Sequence, residues 1–247
     1  MSSAPSFSWL FQRLGLVCVR SSHPAARYLL HPPSSAFEWV LLRLFPDLHG
    51  LRFIQVGAND GRRADPLCAF IDTCAWSGLM IEPLAKNFAD LRSHRGGAAP
   101  RIRLRQAAVD LVAGRRLVHD LALSATAGLP DWTRGLASFS RERVAQAAAE
   151  LGLPDSAIVA EEIDTITWDQ VWQEFGAQPC DLLVLDTEGY DLPLLRAASL
   201  ARRRPRIIHF EHLCATAEDR HAFYRELTDL GYELATGGPD TTAWLPV

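Results

Sequence analysis

Hydrophobic and polar positions repeat along the chain with two different periods. Short apolar runs bounded by glycine or charged residues predict buried strands, and apolar residues spaced three or four positions apart predict helices. The apolar runs predict strands at 53–56, 78–82, 158–163, 181–186 and 206–210, with a short extra strand at 114–119. The alternation of arginine with apolar residues predicts a half-exposed strand at 101–109. Helical spacing and capping residues predict helices at 36–45, 65–74, 83–94, 140–151, 167–175 and 216–230. Strands alternating with helices are typical of an α/β fold with a doubly wound, mostly parallel sheet.

The end of the chain breaks this alternation. Residues 232–235 and 242–245 flank a glycine-rich turn and predict a closing hairpin, and therefore an antiparallel end to the sheet. At the other end, the first 49 residues precede the first strand of the sheet. We expect an N-terminal helical extension at 1–49, followed by one domain at 50–247.

Within the extension, residues 9–19 form an apolar stretch interrupted by Gln12 and Arg13. The stretch is too short to cross a membrane and lacks the layout of a signal peptide. It predicts an amphipathic helix packed on the body of the protein. The alternative is a peripheral membrane contact through Trp9, Leu10 and Phe11.

Composition narrows the function classes. The 247 residues are 48% hydrophobic and 22% charged, which is ordinary for a globular protein with a real core. The net charge of −4 argues against a dedicated nucleic-acid binder. The five cysteines are scattered without a C-x-x-C pair, which favours reduced thiols in a cytoplasmic protein. No pattern indicates an oligomeric state.

The first stretch with chemical content follows the strand at 53–56, where the chain continues Gly57-Ala58-Asn59-Asp60-Gly61. Gly57 permits a sharp turn, and Gly61 lets backbone amides approach a ligand closely. Asn59 and Asp60 place polar groups at the carboxyl end of the strand, where open α/β sheets bind their ligands. Taken alone, this stretch fits a surface turn as well as a nucleotide-binding loop.

Glu82 favours the nucleotide-binding loop over a surface turn, because it ends the second predicted strand 21 residues after Gly61. A carboxylate at this place and distance can accept hydrogen bonds from two ribose hydroxyl groups. A later strand, at 181–186, is continuously apolar, which is typical of strands buried on both faces of a parallel sheet. It runs into Asp186-Thr187-Glu188-Gly189-Tyr190-Asp191, and the next strand ends in Glu211 and His212.

Three motifs in this order resemble the FkbM family of S-adenosylmethionine-dependent methyltransferases. They are the glycine loop at 56–61, the stretch from Trp76 through Glu82 to Pro83, and the acidic strand end at 185–191. The resemblance covers about residues 50–235. It implies a Rossmann-like methyltransferase fold, S-adenosylmethionine as cofactor, and O-methylation of a hydroxyl group on a sugar, glycoconjugate or natural product.

The resemblance also implies roles for individual residues. The glycine loop, Gly57 to Gly61 including Ala58, would line the methionine end of the cofactor. Glu82, followed by Pro83, would hold the ribose, and Gln106 and Ala107 would border the adenine. Asp186 and Glu188 would lie beside the reacting methyl group. One position departs from the family pattern, since Val184 stands where family members commonly carry a lysine.

A hydroxyl acceptor benefits from a general base. The candidates at the predicted sheet edge are Asp186, Glu188, Glu211 and His212, of which His212 has the most suitable unperturbed pKa; Asp186 contacting the cofactor is the alternative to Asp186 as base. Asp186, Glu211 and His212 are also a possible divalent-metal set, but their spacing matches no metal motif, so a metal is not favoured. His209, inside its strand, is expected either to be a core residue or to support the site without touching the ligand.

The acceptor is expected to be a small molecule or a glycan. The segment 123–139, with Trp132 in its middle, has the length of a functional lid, and residues 123–145 are expected to choose the acceptor. Two other functions compete. A nicotinamide-dependent oxidoreductase is disfavoured because the G-x-G-x-x-G loop is absent and Asp60 would face the pyrophosphate. A noncatalytic interaction module is disfavoured because buried carboxylates without a ligand are costly.

Overall fold

A computed structural model describes residues 33–45, 47–98, 100–126, 128–129, 133 and 135–246. The strands, in chain order, are β1 Arg52–Val56, β2 Ser77–Glu82, β3 Ile102–Gln106, β4 Ala108–Val109, β5 Gly114–Leu121, β6 Ile158–Ile166, β7 Leu182–Leu185, β8 Ile207–Glu211, β9 Glu233–Gly237 and β10 Asp240–Trp244. The α-helices are α1 Ala36–Leu44, α2 Cys68–Thr73, α3 Ala85–Arg95, α4 Arg141–Glu150, α5 Trp168–Phe175, α6 Asp191–Ala197, α7 Leu200–Arg203 and α8 Ala217–Asp229.

The main sheet has seven strands in the order β3-β2-β1-β7-β8-β10-β9. The five strands from β3 to β8 are parallel, while β10 pairs antiparallel with both β8 and β9. The predicted doubly wound sheet with an antiparallel end is therefore confirmed. The strand order reverses between β1 and β7, and ligands of open α/β sheets bind at the carboxyl ends of strands at such a switch point.

Each face of this sheet buries its own apolar layer because alternate residues of a strand point to opposite sides. One layer packs α1 and α2 against residues such as Phe53, Leu182 and Ile207. The other packs α5, α6 and α8 against residues such as Ile54 and Leu183. The central strands β1, β2 and β7 are thus buried on both faces, as the continuous apolar run at 181–186 predicted for β7.

A second, three-stranded sheet lies between β3 and β7 in the sequence, in the order β4-β6-β5. Residues 101–109, predicted as one strand, divide between the two sheets. β3 ends at Gln106, and β4 then pairs with β6 instead of β2. Helix α4 packs on this small sheet, with its Val144 in the same apolar cluster as Leu121 of β5. The small sheet brings residues from outside the main sheet to the carboxyl edge of the main sheet.

Several predicted helix boundaries are confirmed by their caps. Thr167 and Gln170 form the capping box of α5, and Ser140 and Thr216 accept hydrogen bonds at the starts of α4 and α8. The predicted helix start at 65–66 is wrong, because α2 begins at Cys68. Asp65 instead closes a turn before the helix, its Oδ1 accepting from the amide of Leu67 at 2.8 Å.

The N-terminal prediction is only partly covered. Helix α1 matches the predicted helix at 36–45. Residues 9–19 and Trp132 lie outside the described residues, so the proposed membrane or body contact and the centre of the lid stay predictions. Among the described residues, every helix is too short or too polar to cross a bilayer.

Candidate active site

The strand registers place one row of residues across the carboxyl edge of the main sheet. Gln106 pairs with Glu82 on β3 and β2, and Glu211 pairs with Asp240 on β8 and β10. Gly57 and Asp186 follow directly on Val56 and Leu185, which pair with each other in β1 and β7. The row therefore runs Gln106, Glu82, Gly57, Asp186, Glu211, Asp240. Five of these six residues were singled out from the sequence, and Asp240 was not.

A cavity of about 380 Å³ opens at this edge, which suits a small ligand. Most of the residues expected at the site line it, namely Gly57, Ala58, Asn59, Glu82, Pro83, Ala107, Asp186 and Glu188. The cavity lining does not include the others, namely Asp60, Gly61, Gln106, Glu211 and His212. The small sheet contributes Ala108, Val109 and Val118 to the lining.

Gly57 lies where the chain that leaves β1 closely approaches the chain that leaves β7. It has a φ of +80°, and a Cβ atom built on it would lie 1.8 Å from the carbonyl oxygen of Asp186. Only glycine fits at this position, because every other residue would collide with backbone. The glycine thus lets the chain that leaves β1 turn directly against the backbone that leaves β7, at the floor of the cavity.

Asn59 and Glu82 join the first two strands above that floor. The amide of Asn59 donates to Oε2 of Glu82 at 2.9 Å, and the amide of Leu84 donates to Oε1 at 3.1 Å. Burial raises the pKa of Glu82 to about 7, although these backbone bonds lower it. Oδ1 of Asn59 is buried and makes no hydrogen bond within the described protein. Both side chains line the cavity and can accept hydrogen bonds from a ligand.

Asp60 and Gly61 face helix α3 and not the cavity. Oδ1 of Asp60 accepts from the amides of Arg62 and Arg63, both at 2.9 Å, so its carboxylate closes a turn within the loop. The carbonyl of Gly61 accepts from the guanidinium of Arg95, which is buried. A Cβ on Gly61 would lie 2.6 Å from Cδ1 of Leu91. These residues anchor the loop to α3.

The loop after β7 is held by bonds within itself and to the small-sheet region. Asp191, the buried first residue of α6, accepts from the hydroxyl of Thr187 at 2.8 Å. Glu188 has a φ of +51°, and its carbonyl accepts from the hydroxyl of Ser138 at 2.8 Å. The Tyr190 hydroxyl donates to Asp110 at 2.8 Å. The turn that carries Glu188 is therefore fixed on two sides.

Carboxylates crowd the part of the edge around Asp186. Burial, followed by the charges of Asp186 and Glu211, raises the pKa of Glu188 to about 8, against the opposing effect of Arg143. Burial and the charge of Asp186 likewise raise the pKa of Glu211 to about 7 and that of Asp240 to about 6. Asp186 is open to the cavity, but the surrounding protein atoms displace water from its carboxylate, and this loss of hydration raises its pKa as well.

The guanidinium of Arg143 offsets part of this charge, since its Nη2 lies 3.4 Å from Oε2 of Glu188. The carboxylates at this edge therefore accept protons near neutral pH more readily than ordinary ones do. Within the described residues, no group of three or more His, Cys, Asp or Glu side chains has the arrangement of a metal site.

The two histidines at the end of β8 differ from the expectation: His209 lines the cavity, whereas His212 does not. His212 is buried outside the cavity, with Nδ1 2.9 Å from the hydroxyl oxygen of Thr241, and burial lowers its pKa. His209 lines the cavity, with Nδ1 3.0 Å from the hydroxyl oxygen of Thr242 and its ring 4.9 Å from that of Phe37. Strand alternation could have located His209, because it lies on the same sheet face as Glu211.

Replacing Glu188 with glutamine is expected to stabilise the ligand-free protein at alkaline pH. The folded protein holds a proton on Glu188 up to about pH 8, whereas the unfolded chain releases it near about pH 4.3. The stability contributed by this proton is thus complete at low pH and is lost as the pH rises through about 8. At pH 8.5 the variant should gain on the order of 2 kcal/mol, or roughly 4–8 °C in Tm.

Thermal unfolding of wild type and variant at about pH 4.5 and about pH 8.5 tests this expectation, because the gain should shrink towards zero at the lower pH. Glu233→Gln, at an exposed glutamate of β9, is the matched control and should show no such dependence. A gain of equal size at both pH values would contradict the electrostatic explanation.

The fold and this edge match a Rossmann-like methyltransferase. Gly57 follows β1, the buried carboxylate of Glu82 ends β2, and the acidic segment that begins at Asp186 follows β7, all at the carboxyl edge of a mostly parallel sheet. The chain belongs to the family described as the methyltransferase FkbM domain, whose model matches residues 55–234. No curated protein matches the chain in sequence.

Solved structures of similar fold are distant in sequence. A methyltransferase FkbM from Methylobacillus flagellatus KT is 14% identical with a TM-score of 0.48, covering 79% of this chain and 43% of that one. An O-methyltransferase from Bacillus cereus in complex with SAH is 12% identical with a TM-score of 0.43, covering 96% and 97%. A putative RNA methyltransferase from Pyrococcus horikoshii is 10% identical with a TM-score of 0.42, covering 87% and 82%. The chain thus spans less than half the length of the Methylobacillus protein.

Proposed function

We propose that the protein transfers a methyl group from S-adenosylmethionine to a hydroxyl group of a small molecule or glycan. Family membership implies S-adenosylmethionine as the methyl donor. The observation that carries the proposal is the position of Glu82. Its buried carboxylate ends β2 beside Gly57, next to the point where the strand order of the sheet reverses. The net charge of −4 supports a small acceptor over a nucleic acid.

The residues at the Glu82 end of the cavity fit this cofactor. The cofactor carries a cationic amine and a sulfonium, and the cavity offers the carboxylates of Glu82 and Asp186 together with the unpartnered oxygen of Asn59. A dinucleotide pyrophosphate, in contrast, needs cations or several amide donors. These acceptor groups therefore support S-adenosylmethionine over a nicotinamide cofactor.

Residue by residue, Glu82 would accept hydrogen bonds from the ribose hydroxyl groups. Asn59 and Asp186 would receive the charged amine of the methionine part. Pro83 and Ala107 offer apolar surface to the adenine at the β2 and β3 end of the cavity. These assignments keep the roles that the resemblance implied for Asn59, Glu82 and Ala107. They give Asp186 its alternative role as a cofactor contact and move Pro83 from the ribose to the adenine, and they leave Asp60, Gly61 and Gln106 outside the cavity wall.

The bound cofactor supplies an electrophilic methyl group, so the chain's own task is to position the acceptor and to take up its proton. Asp186, Glu188 and Asp240 line the cavity and can take up that proton. The pKa of Glu188 is raised to about 8 and that of Asp240 to about 6, which places the Asp240 carboxylate in its ionised form at pH 8. His212 and Glu211, two further candidates from the sequence, are not part of the cavity lining.

Calorimetric titration with S-adenosylmethionine tests the proposal most directly. We expect one site with a dissociation constant in the micromolar range, binding of S-adenosylhomocysteine at the same site, and no binding of NAD⁺. Release of S-adenosylhomocysteine in the presence of methyl glycosides then measures transfer to hydroxyl groups. Absence of binding at millimolar S-adenosylmethionine would overturn the proposal.

A further inference from the structure

The sheet face that packs against α1 changes character from its middle to its carboxyl edge. Strand pairing places three rows across β1, β7, β8 and β10. The first row is apolar and consists of Phe53, Leu182, Ile207 and Trp244. The second consists of Gln55, Val184, His209 and Thr242, and the third, at the edge, of Gly57, Asp186, Glu211 and Asp240. Alternate residues of one strand share a face, so all three rows look towards α1.

One end of the cavity lies over the second and third rows. Six of these eight residues line the cavity, and Thr242 and Glu211 do not. Phe37 of α1, Gln55, Arg63, His209 and Asp240 line this end, which we call the α1 chamber. Strand order sets it apart from the end that fits the cofactor. Glu82 and Ala107 belong to the β2 and β3 side of the sheet, whereas the chamber extends to β8 and β10, with β1 and β7 between them.

Gln55 gives the chamber an unsatisfied polar group. The side chain is 4% exposed, and its amide nitrogen donates to Oδ1 of Asp65 at 3.2 Å. Its Oε1 is buried and has no hydrogen-bond partner within the described protein. A buried oxygen without a partner costs about 1–3 kcal/mol, so a ligand that donates a hydrogen bond to it is favoured.

Two other polar side chains of the chamber, those of His209 and Asp240, point to the same kind of ligand. Nδ1 of His209 is occupied by Thr242, while Nε2 lies 4.0 Å from Oδ2 of Asp240 and is free to contact a ligand. Asp240 adds a carboxylate whose side chain is 41% exposed. Gln55 and Asp240 both accept hydrogen bonds, and the ring of Phe37 supplies an apolar wall. The chamber therefore fits a ring that presents several hydroxyl groups.

We propose that the α1 chamber binds the methyl acceptor through adjacent hydroxyl groups, with Gln55, His209 and Asp240 as its specificity-determining residues. The inference rests on the proposed function and adds the place and the contacts of acceptor recognition. Two walls of the chamber lie outside the family match at 55–234, since Phe37 precedes it and Asp240 follows it. Acceptor selectivity is thus set in part by segments that flank the family domain.

The test separates cofactor binding from acceptor binding with two variants. Gln55→Met removes the unpartnered oxygen at similar size, and Asp240→Asn removes the charge at a half-exposed position. Asp229→Asn, an exposed aspartate at the end of α8, is the matched control. For each protein, calorimetry gives the affinity for S-adenosylhomocysteine. Saturation-transfer NMR on the S-adenosylhomocysteine complex then measures the binding of methyl glycosides of the common hexoses.

We expect both variants to bind S-adenosylhomocysteine within about twofold of wild type and to weaken binding of the preferred glycoside about fivefold to tenfold, the effect of one lost hydrogen bond. The control should match wild type in both measurements.

If Gln55→Met does not fold, Asp240→Asn decides alone. A glycoside affinity unchanged in the variants, or no glycoside bound by the wild-type complex, overturns the inference and leaves the proposed function standing. A tenfold loss of S-adenosylhomocysteine affinity assigns the chamber to the cofactor and also overturns it. Failure of wild type to bind S-adenosylhomocysteine overturns the proposed function itself.

Discussion

Replacing Glu82 with alanine is expected to weaken S-adenosylmethionine binding by about tenfold to a hundredfold. Charge-assisted hydrogen bonds from two ribose hydroxyl groups would be lost together, and each contributes on the order of 1 kcal/mol or more. The loss has a second source in this structure. Glu82 also accepts from the amides of Asn59 and Leu84, so its removal releases the glycine loop from β2.

Calorimetry on Glu82→Ala and Glu82→Gln separates the two sources. Glutamine keeps one acceptor oxygen and the size of the side chain, and should therefore lose less affinity than alanine. Glu233→Ala, at an exposed glutamate, controls for the change in net charge. An affinity unchanged in Glu82→Ala would remove this residue from the cofactor site.

Replacing Gly57 with alanine is expected to destabilise the folded protein by about 3 kcal/mol or more. A left-handed backbone costs an alanine about 1 kcal/mol, and overpacking adds about 1–3 kcal/mol. Here the added Cβ would lie 1.8 Å from the carbonyl oxygen of Asp186, and backbone cannot move aside as a flexible side chain does. Thermal unfolding should show a fall in Tm of roughly 6–12 °C.

Gly152→Ala is the matched control for Gly57→Ala. Gly152 also has a positive φ, +68°, but nothing lies within 4 Å of the position that a Cβ atom would take there. It should therefore show the backbone cost alone, about 1 kcal/mol. Equal losses of stability in the two variants would show that the approach of β1 to β7 is not what requires a glycine at position 57.

The arrangement of the sheet and most of its carboxyl edge could be predicted from local patterns. A strand period of two and a helical period near 3.6 are properties of neighbouring residues, and they sufficed for β1, β2, β7 and β8. Glu82, Gly57 and Asp186 then followed, because parallel strands bring their carboxyl ends to one edge. The closing hairpin followed from its glycine-rich turn.

The remaining features depend on contacts between residues distant in sequence. The loop residues Asp60 and Gly61 carry the expected polar and glycine character, yet His94 and Arg95 of α3 turn them away from the cavity. Asp240 belongs to a turn by its local sequence, and only the pairing of β10 with β8 brings it beside Glu211. No local pattern records such partners, so the sequence alone does not place these residues.

The crowding of carboxylates at the edge also bears on the end of the catalytic cycle. In the proposed reaction the donor enters as a sulfonium cation and leaves as a neutral thioether. Negative charge around Asp186 attracts the sulfonium and has no such attraction for the thioether. In the proposed reaction, the same side chains would hold the charged donor more tightly than the neutral thioether, which would favour release of the product.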